Sequence, residues 1–260
     1  MARTKASVLF VAVLLALSGC SAFFDFNAFS SLDKPAAPDP SRYQGTGGLA
    51  NLQNDLGSPA LVNALKNDPA TSQQILVDLE GAYTVHLGAL DSPDKKTAAI
   101  LYADLALAST SGDILTNNVV ASVMTSGQTG NIYALIGSII PADVASDPTK
   151  FSNMVLGLLD ANVVYLNLGS HLGTPPTAVP GMNMGDVAQK AAVAFLMDAI
   201  VSAVENQALL AEGPAIAQMF ALVNNQANTI RGVSIASNPL LPLDIRLRNI
   251  FDAAGAPYPA

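Results

Sequence analysis

Residues 147–167 read DPTKFSNMVLGLLDANVVYLN, and residues 68–88 read DPATSQQILVDLEGAYTVHLG. Each opens on Asp-Pro. The Asp side chain can accept from the first free N–H groups of a helix, and Pro has no N–H to lose at the first helical position. Apolar residues then recur at helical spacing. Laid over one another without a gap, the stretches match at Asp68 and Asp147, Pro69 and Pro148, Leu79 and Leu158, Ala82 and Ala161, Val85 and Val164, and Leu87 and Leu166. The match resumes in the next helix with Lys96 and Lys190, Ala98 and Ala192, and Asp104 and Asp198. The extra residues are assigned to the loop around Pro175 and Pro176. Two readings follow: two units of about 80 residues, each opened by a helical hairpin, or two Pro-started helices that look alike because helices do.

The same punctuation recurs at Ser92-Pro93 and Gly213-Pro214. Helices are expected near 59–67, 69–87, 93–109, 113–126, 131–140, 149–171, 185–206, 214–231 and 242–253. No segment alternates with period two, and β-branched residues are scattered among Ala, Leu, Gln and Met. The expected fold is all-α, a single domain of stacked helical hairpins over residues 58–260.

Ahead of it, Arg3 and Lys5 precede an apolar run from Val8 to Leu17, which ends in Leu17-Ser18-Gly19-Cys20. A basic start, a short apolar segment and small residues before the cleavage point describe a signal peptide over residues 1–19. It resembles the signal of bacterial lipoproteins, whose lipobox is met at all four positions. The resemblance implies cleavage before Cys20, acylation of that residue and a cell-envelope location; Ser21 after it resembles the enteric sorting rule that favours the outer membrane. Two or three acyl chains hold a protein to a leaflet where one would not. Residues 20–57, with Pro35, Pro38, Pro40, Gly45, Gly47, Gly48 and Gly57, read as the lipidated start and a linker. Within it Phe23, Phe24, Phe26 and Phe29 suit either an interfacial foot or a segment folded back on the body.

Composition narrows the chemistry. The 260 residues carry 20 acids against 12 bases, a net charge of −8, with one Cys, two His and no Trp. An acidic chain repels a phosphate backbone, which argues against nucleic acid as a partner. One Cys, given to the lipid, leaves no intramolecular disulfide and no thiolate cluster. Mean hydropathy is +0.38, yet no uninterrupted run of about 18 apolar residues follows the N-terminus. Phosphate-loop, H-E-x-x-H and G-x-S-x-G patterns are absent, and the Gly45-Thr46-Gly47-Gly48 cluster has no flanking strand. Neither His has a Glu three residues before it, as a di-iron bundle would need. Neither cofactor nor metal is expected. Leu87-Gly88 and Ala98 echo tetratricopeptide-like helical-repeat lipoproteins, which the body resembles weakly; their Trp and 34-residue period are missing, and no site residue is carried over.

Candidate residues are few. Asp104 is the one charge between Thr97 and Gly112, and Asp198 the one between Ala191 and Val204. A lone carboxylate on an apolar helix is solvated, or buried and hydrogen-bonded, or turned to a ligand. Asp160 lies opposite its helix's apolar stripe and is expected in solvent. His86 and His171, near helix C-termini, are expected to complement the helix dipole. Residues 114–142 carry no charge and 161–185 only His171, which fits a neutral contact surface or ordinary burial. The functional expectation is a non-enzymatic, membrane-anchored envelope lipoprotein serving as a protein-binding helical scaffold, its partner another envelope protein. The alternative is a carrier or transporter accessory protein holding a small apolar ligand between helices. An envelope hydrolase has only unpaired carboxylates in its favour.

Overall fold

The computed structural model describes residues 38–45, 47–125, 131–225, 229–230, 233–236 and 244–256, with backbone only at 119–125 and 230. The signal segment, Cys20 and the four phenylalanines that follow it lie outside the described residues. A 3-10 turn at Pro40–Tyr43 leads into α1 (Gly48–Leu56), α2 (Pro59–Asn67), α3 (Pro69–Tyr83), α4 (Pro93–Thr110), α5 (Gly112–Thr125), α6 (Ile132–Ile139) and α7 (Ala142–Ala145). Then follow α8 (Pro148–Ser170), α9 (Met184–Ala208), α10 (Glu212–Val223), strands β1 (Thr229–Ile230) and β2 (Val233–Ser234), and α11 (Ile245–Ala253). The fold is all-α.

The Asp-Pro and Ser-Pro starts work as the sequence implies. Asp68 accepts from the Thr71 N–H, Asp147 from those of Thr149 and Lys150, and Ser92 from that of Lys95. Each satisfies N–H groups that the first helical turn leaves open. Gly213-Pro214 is different: α10 begins at Glu212, so Pro214 sits inside the first turn.

Three helices build the centre. From Ala98 to Ala108 every residue of α4 is buried except Asp104, the pattern of a helix enclosed on all sides. It packs along α8, and α8 in turn touches α9, α10 and α11. Gly157 of α8 lies against Thr110 of α4, where an added Cβ would collide with the Thr110 hydroxyl. Phe151 of α8 meets Phe220 of α10 edge to face at 5.3 Å. At Ser111 (φ 68) the chain bends by 93° from α4 into α5.

By length and composition α8 and α9 could each cross a membrane, with 18-residue windows of mean hydropathy 1.2 and 1.6. These windows are 61% and 67% buried by neighbouring helices, so the apolar surface is largely spent on the core. No uninterrupted run marks them in the sequence because Asn162, Asp160, Lys190 and Asp198 break it.

The structure corrects four expectations. The stretch taken as linker contains the 3-10 turn and α1: Tyr43 and Leu52 are buried, and Asp55, 5% exposed, accepts from the Tyr43 hydroxyl at 2.8 Å and from Arg42 at 3.2 Å. The helical body therefore starts well before residue 58. The helix expected over 214–231 stops at Val223, and beyond it β1 and β2 pair antiparallel with Ile230 opposite Val233. The short α7 was absent from the expected set.

The fourth concerns the repeat. α3 ends at Tyr83, where Thr84 takes a left-handed conformation (φ 51), so Val85 and Leu87 lie in a turn while Val164 and Leu166 lie within α8. Leu87 is 90% exposed, whereas Leu166 packs against the core. α8 has 23 residues against 15 in α3, so the excess lies largely in the helix and not wholly in the loop around Pro175. The two hairpins are not equivalent at the matched positions.

Candidate functional site

Asp104 is not solitary. Lys190, nearly two turns into α9, sets its ammonium 3.0 Å from Asp104 and binds Asp186, four residues back, through a closer contact at 2.6 Å. The Tyr165 hydroxyl of α8 donates to Asp104 at 3.2 Å. Asp104 and Lys190 are 18% and 19% exposed, so the cluster ties α4, α8 and α9 together with little water. It holds two carboxylates to one ammonium. Burial pushes Asp104 upward, and the attraction of Lys190 offsets only part of that; burial opposes the charge on Lys190, but Asp104 and Asp186 outweigh it and hold its pKa above the ordinary lysine range. Nearby, Lys66 of α2 reaches Asp113 of α5 at 3.4 Å. Asp104 is thus a structural carboxylate.

Asp198 sits elsewhere, partly buried, with no hydrogen bond to it among the described residues. Burial raises its pKa, and Glu212 raises it further against a smaller lowering by Arg246. Arg246 is itself held by Asp244 at 2.6 Å. The matched pair Asp104 and Asp198 therefore has unlike surroundings. Asp198→Ala is expected to leave stability within about 0.5 kcal/mol of wild type, or to raise it, because no partner is orphaned. A thermal melt at neutral pH measures this, and a loss above about 1 kcal/mol contradicts it.

The two histidines also differ. His171 Nδ1 lies 2.8 Å from the Asn167 carbonyl at the C-terminal end of α8, the capping place expected for it. His86 lies past the end of α3, in a turn pinned to α8 by Asn167, whose amide donates to the carbonyls of Val85 and Gly88 at 2.8 and 3.1 Å. Its Nδ1 is 2.8 Å from Glu80 of α3, its Nε2 is 2.8 Å from Asp160 of α8, and its ring stands edge-on to Tyr102 at 4.8 Å. Either neutral tautomer would set a nitrogen lone pair against a carboxylate, so the geometry selects the imidazolium. Asp160, expected in solvent, is one jaw of this clamp.

Burial alone would lower the His86 pKa; Asp160 and Glu80 outweigh it and raise it above 6.5. A raised histidine pKa contributes stability that is fully present below the unfolded value and is lost as pH rises through the folded value. Wild-type unfolding free energy is therefore expected to decline from about pH 6.5 upward relative to His86→Gln. Urea midpoints of both chains measured from about pH 5.5 to 9 check this. Parallel curves would refute it.

Beside the clamp a groove of about 330 Å³ opens between α3 and α8. Its floor is the end of α4, with Ala106, Ser109 and Thr110; Ser72, Gln73 and Leu76 form one wall, and Asn153, Leu156 and Asp160 the other. Ser72, Ser109 and Thr110 donate to backbone carbonyls, so their hydroxyls are anchored. The exposed amides of Gln73 and Asn153 have no hydrogen-bond partner among the described residues. The His86 bridge joins the two walls at the Asp160 end.

A second cavity, between α5, α6 and α9, is lined by Leu115, Ile136, Met197 and other apolar side chains, and holds about 20 Å³. That is room for about one water, which an apolar lining does not retain. Ile132, Tyr133, Ile136 and Ile139 of α6 are buried, so part of the uncharged 114–142 stretch is core. Among the described residues no group of three or more His, Cys, Asp and Glu is arranged to hold a metal. Glu80, His86 and Asp160 converge on no common point, because the carboxylates occupy opposite nitrogens of the ring. No family model, curated protein or solved structure matches the chain.

The sequence has no Glu three residues before His86 and puts Asp160 opposite an apolar stripe, and gives no sign that Glu80, His86 and Asp160 meet. The contact between His86 and Asp160 spans 74 positions. α3 ends early because Thr84 takes a left-handed conformation, and residue types alone do not announce a left-handed threonine.

Proposed function

We propose that this chain is a membrane-anchored envelope lipoprotein whose helical body binds a partner protein without catalysing a reaction. The anchor reading rests on the lipobox and on Cys20 being the one thiol. The binding reading rests on the groove between α3 and α8, where two amides from facing helices have no hydrogen-bond partner among the described residues. Exposed amides with free donors and acceptors suit recognition of another polypeptide.

The clamp favours binding over chemistry. A general base needs a free nitrogen lone pair, and both His86 nitrogens are committed to carboxylates. The carrier alternative has less support among the described residues, where the apolar cavity between α5, α6 and α9 has room for about one water and a carrier needs some hundreds of Å³.

Cys20→Ser is expected to leave the chain uncleaved and without acyl label, because no second thiol can accept the lipid. Metabolic labelling with a radioactive fatty acid and the mobility of the chain on a gel report the two events together. Wild-type labelling and cleavage in the variant would dispose of the lipoprotein reading.

A further inference from the structure

We propose that the groove between α3 and α8 recognises a basic side chain, lysine or arginine, of a partner polypeptide. The inference deepens the binding reading above and rests on it. Three observations carry it.

The first is charge. The groove lining contains no Lys or Arg. At its closed end stand Asp160 and, one turn beyond Leu76, Glu80; their shared counter-charge is the single His86. Two carboxylates around one imidazolium leave that end with a net negative charge, and a cation entering the groove completes the balance.

The second is capacity. Glu80 gives Oε2 to the ring and Asp160 gives Oδ1. A carboxylate has about four acceptor sites, so both retain places for further donors even with the Tyr102 hydroxyl facing Asp160. The clamp also fixes the two carboxylates, so a ligand need not order them.

The third is shape. Leu76 and Leu156 give apolar walls on the way to Asp160, and Leu156 is 41% exposed. An aminoalkyl or guanidinoalkyl chain buries its methylenes against such walls and keeps its charged head at the carboxylates. About 330 Å³ is at the small end of ligand sites, the scale of a long side chain and not of a docked helix. The amides of Gln73 and Asn153, without partners among the described residues, flank the same groove, where a peptide backbone on either side of that side chain offers N–H and C=O groups. This favours a polypeptide over a free polyamine.

The test is calorimetric titration of the full-length chain in detergent micelles, at about 0.15 M salt to suppress long-range attraction. The probes are hexalysine, hexaarginine, a neutral Gly-Ser hexapeptide and spermidine. Saturable binding of both basic peptides is expected, with none for the neutral one and weaker binding of spermidine. Leu156→Lys places an ammonium beside Asp160 within the chain and is expected to lower the peptide affinity at least tenfold, as is Gln73→Lys from the opposite wall should the first variant fail to fold by circular dichroism. No binding, or equal affinity in the folded variants, overturns the proposal. Spermidine binding as well as hexalysine overturns the polypeptide assignment. A partner captured from the envelope equally by wild type and by Leu156→Lys would leave the scaffold reading standing and remove this site. Failure of the Cys20 test would remove the anchor while leaving the titration unaffected.

Discussion

Lys190→Met is expected to lower the unfolding free energy by about 3 kcal/mol, the low end of the range for breaking a buried ion pair, since its partner Asp104 retains some contact with water. Removing the ammonium leaves Asp104 and Asp186 facing one another in a site with little solvent. The Tyr165 hydroxyl alone then supports Asp104. The cost is the unpaired charge and not the lost attraction, so Lys190→Met combined with Asp104→Asn should recover a large part of it. Urea unfolding of the three chains at neutral pH gives the comparison. A single variant within about 1 kcal/mol of wild type would show that the cluster is solvated.

Gly169→Ala is expected to cost about 2 kcal/mol or more, although alanine favours a helix by about 1 kcal/mol over glycine. A Cβ at Gly169 would collide with the carbonyl oxygen of Arg246, and backbone cannot rotate aside as a side chain can. α11 must therefore move off α8. Asn249, which donates to the Gly169 carbonyl at 2.9 Å, loses its geometry with it. Gly157→Ala meets the Thr110 hydroxyl, Cβ and Cγ2 instead; rotation relieves the hydroxyl but not the Cβ, so a smaller shift of α4 against α8 remains and the cost should be the smaller of the two. A Gly169→Ala chain as stable as wild type, by thermal melt, would mean that α11 is not seated as described.

Helix class and most helix starts were legible because they are local: Asp68-Pro69, Ser92-Pro93 and Asp147-Pro148 combine a capping side chain with a residue suited to the first turn, and caps act within four positions. α1 was hidden because its glycines and nearby prolines signal a linker, while Leu49, Leu52 and Leu56 recur at spacing too short a run to outweigh them. The 214–231 helix was overextended because helix-forming Gln and Ala residues follow Val223, where Asn225 takes a left-handed conformation (φ 53). Lone charges were found but their partners were not. Asp104 meets Lys190 across 86 positions and His86 meets Asp160 across 74, and pairing at such separation is set by how helices cross, which local pattern does not encode. The groove was illegible for the same reason: its walls belong to α3 and α8, and its floor to a third helix.

A photo-crosslinking residue placed at Gln73 or Asn153 of the full-length chain, expressed in its own envelope, is expected to trap a discrete polypeptide adduct that disappears when Leu156→Lys is added. The same residue at Leu209, 83% exposed and outside the groove lining, is expected to trap none. An adduct from Leu209 equal to that from the groove, or no adduct from either groove position, would contradict a binding body that works through this groove.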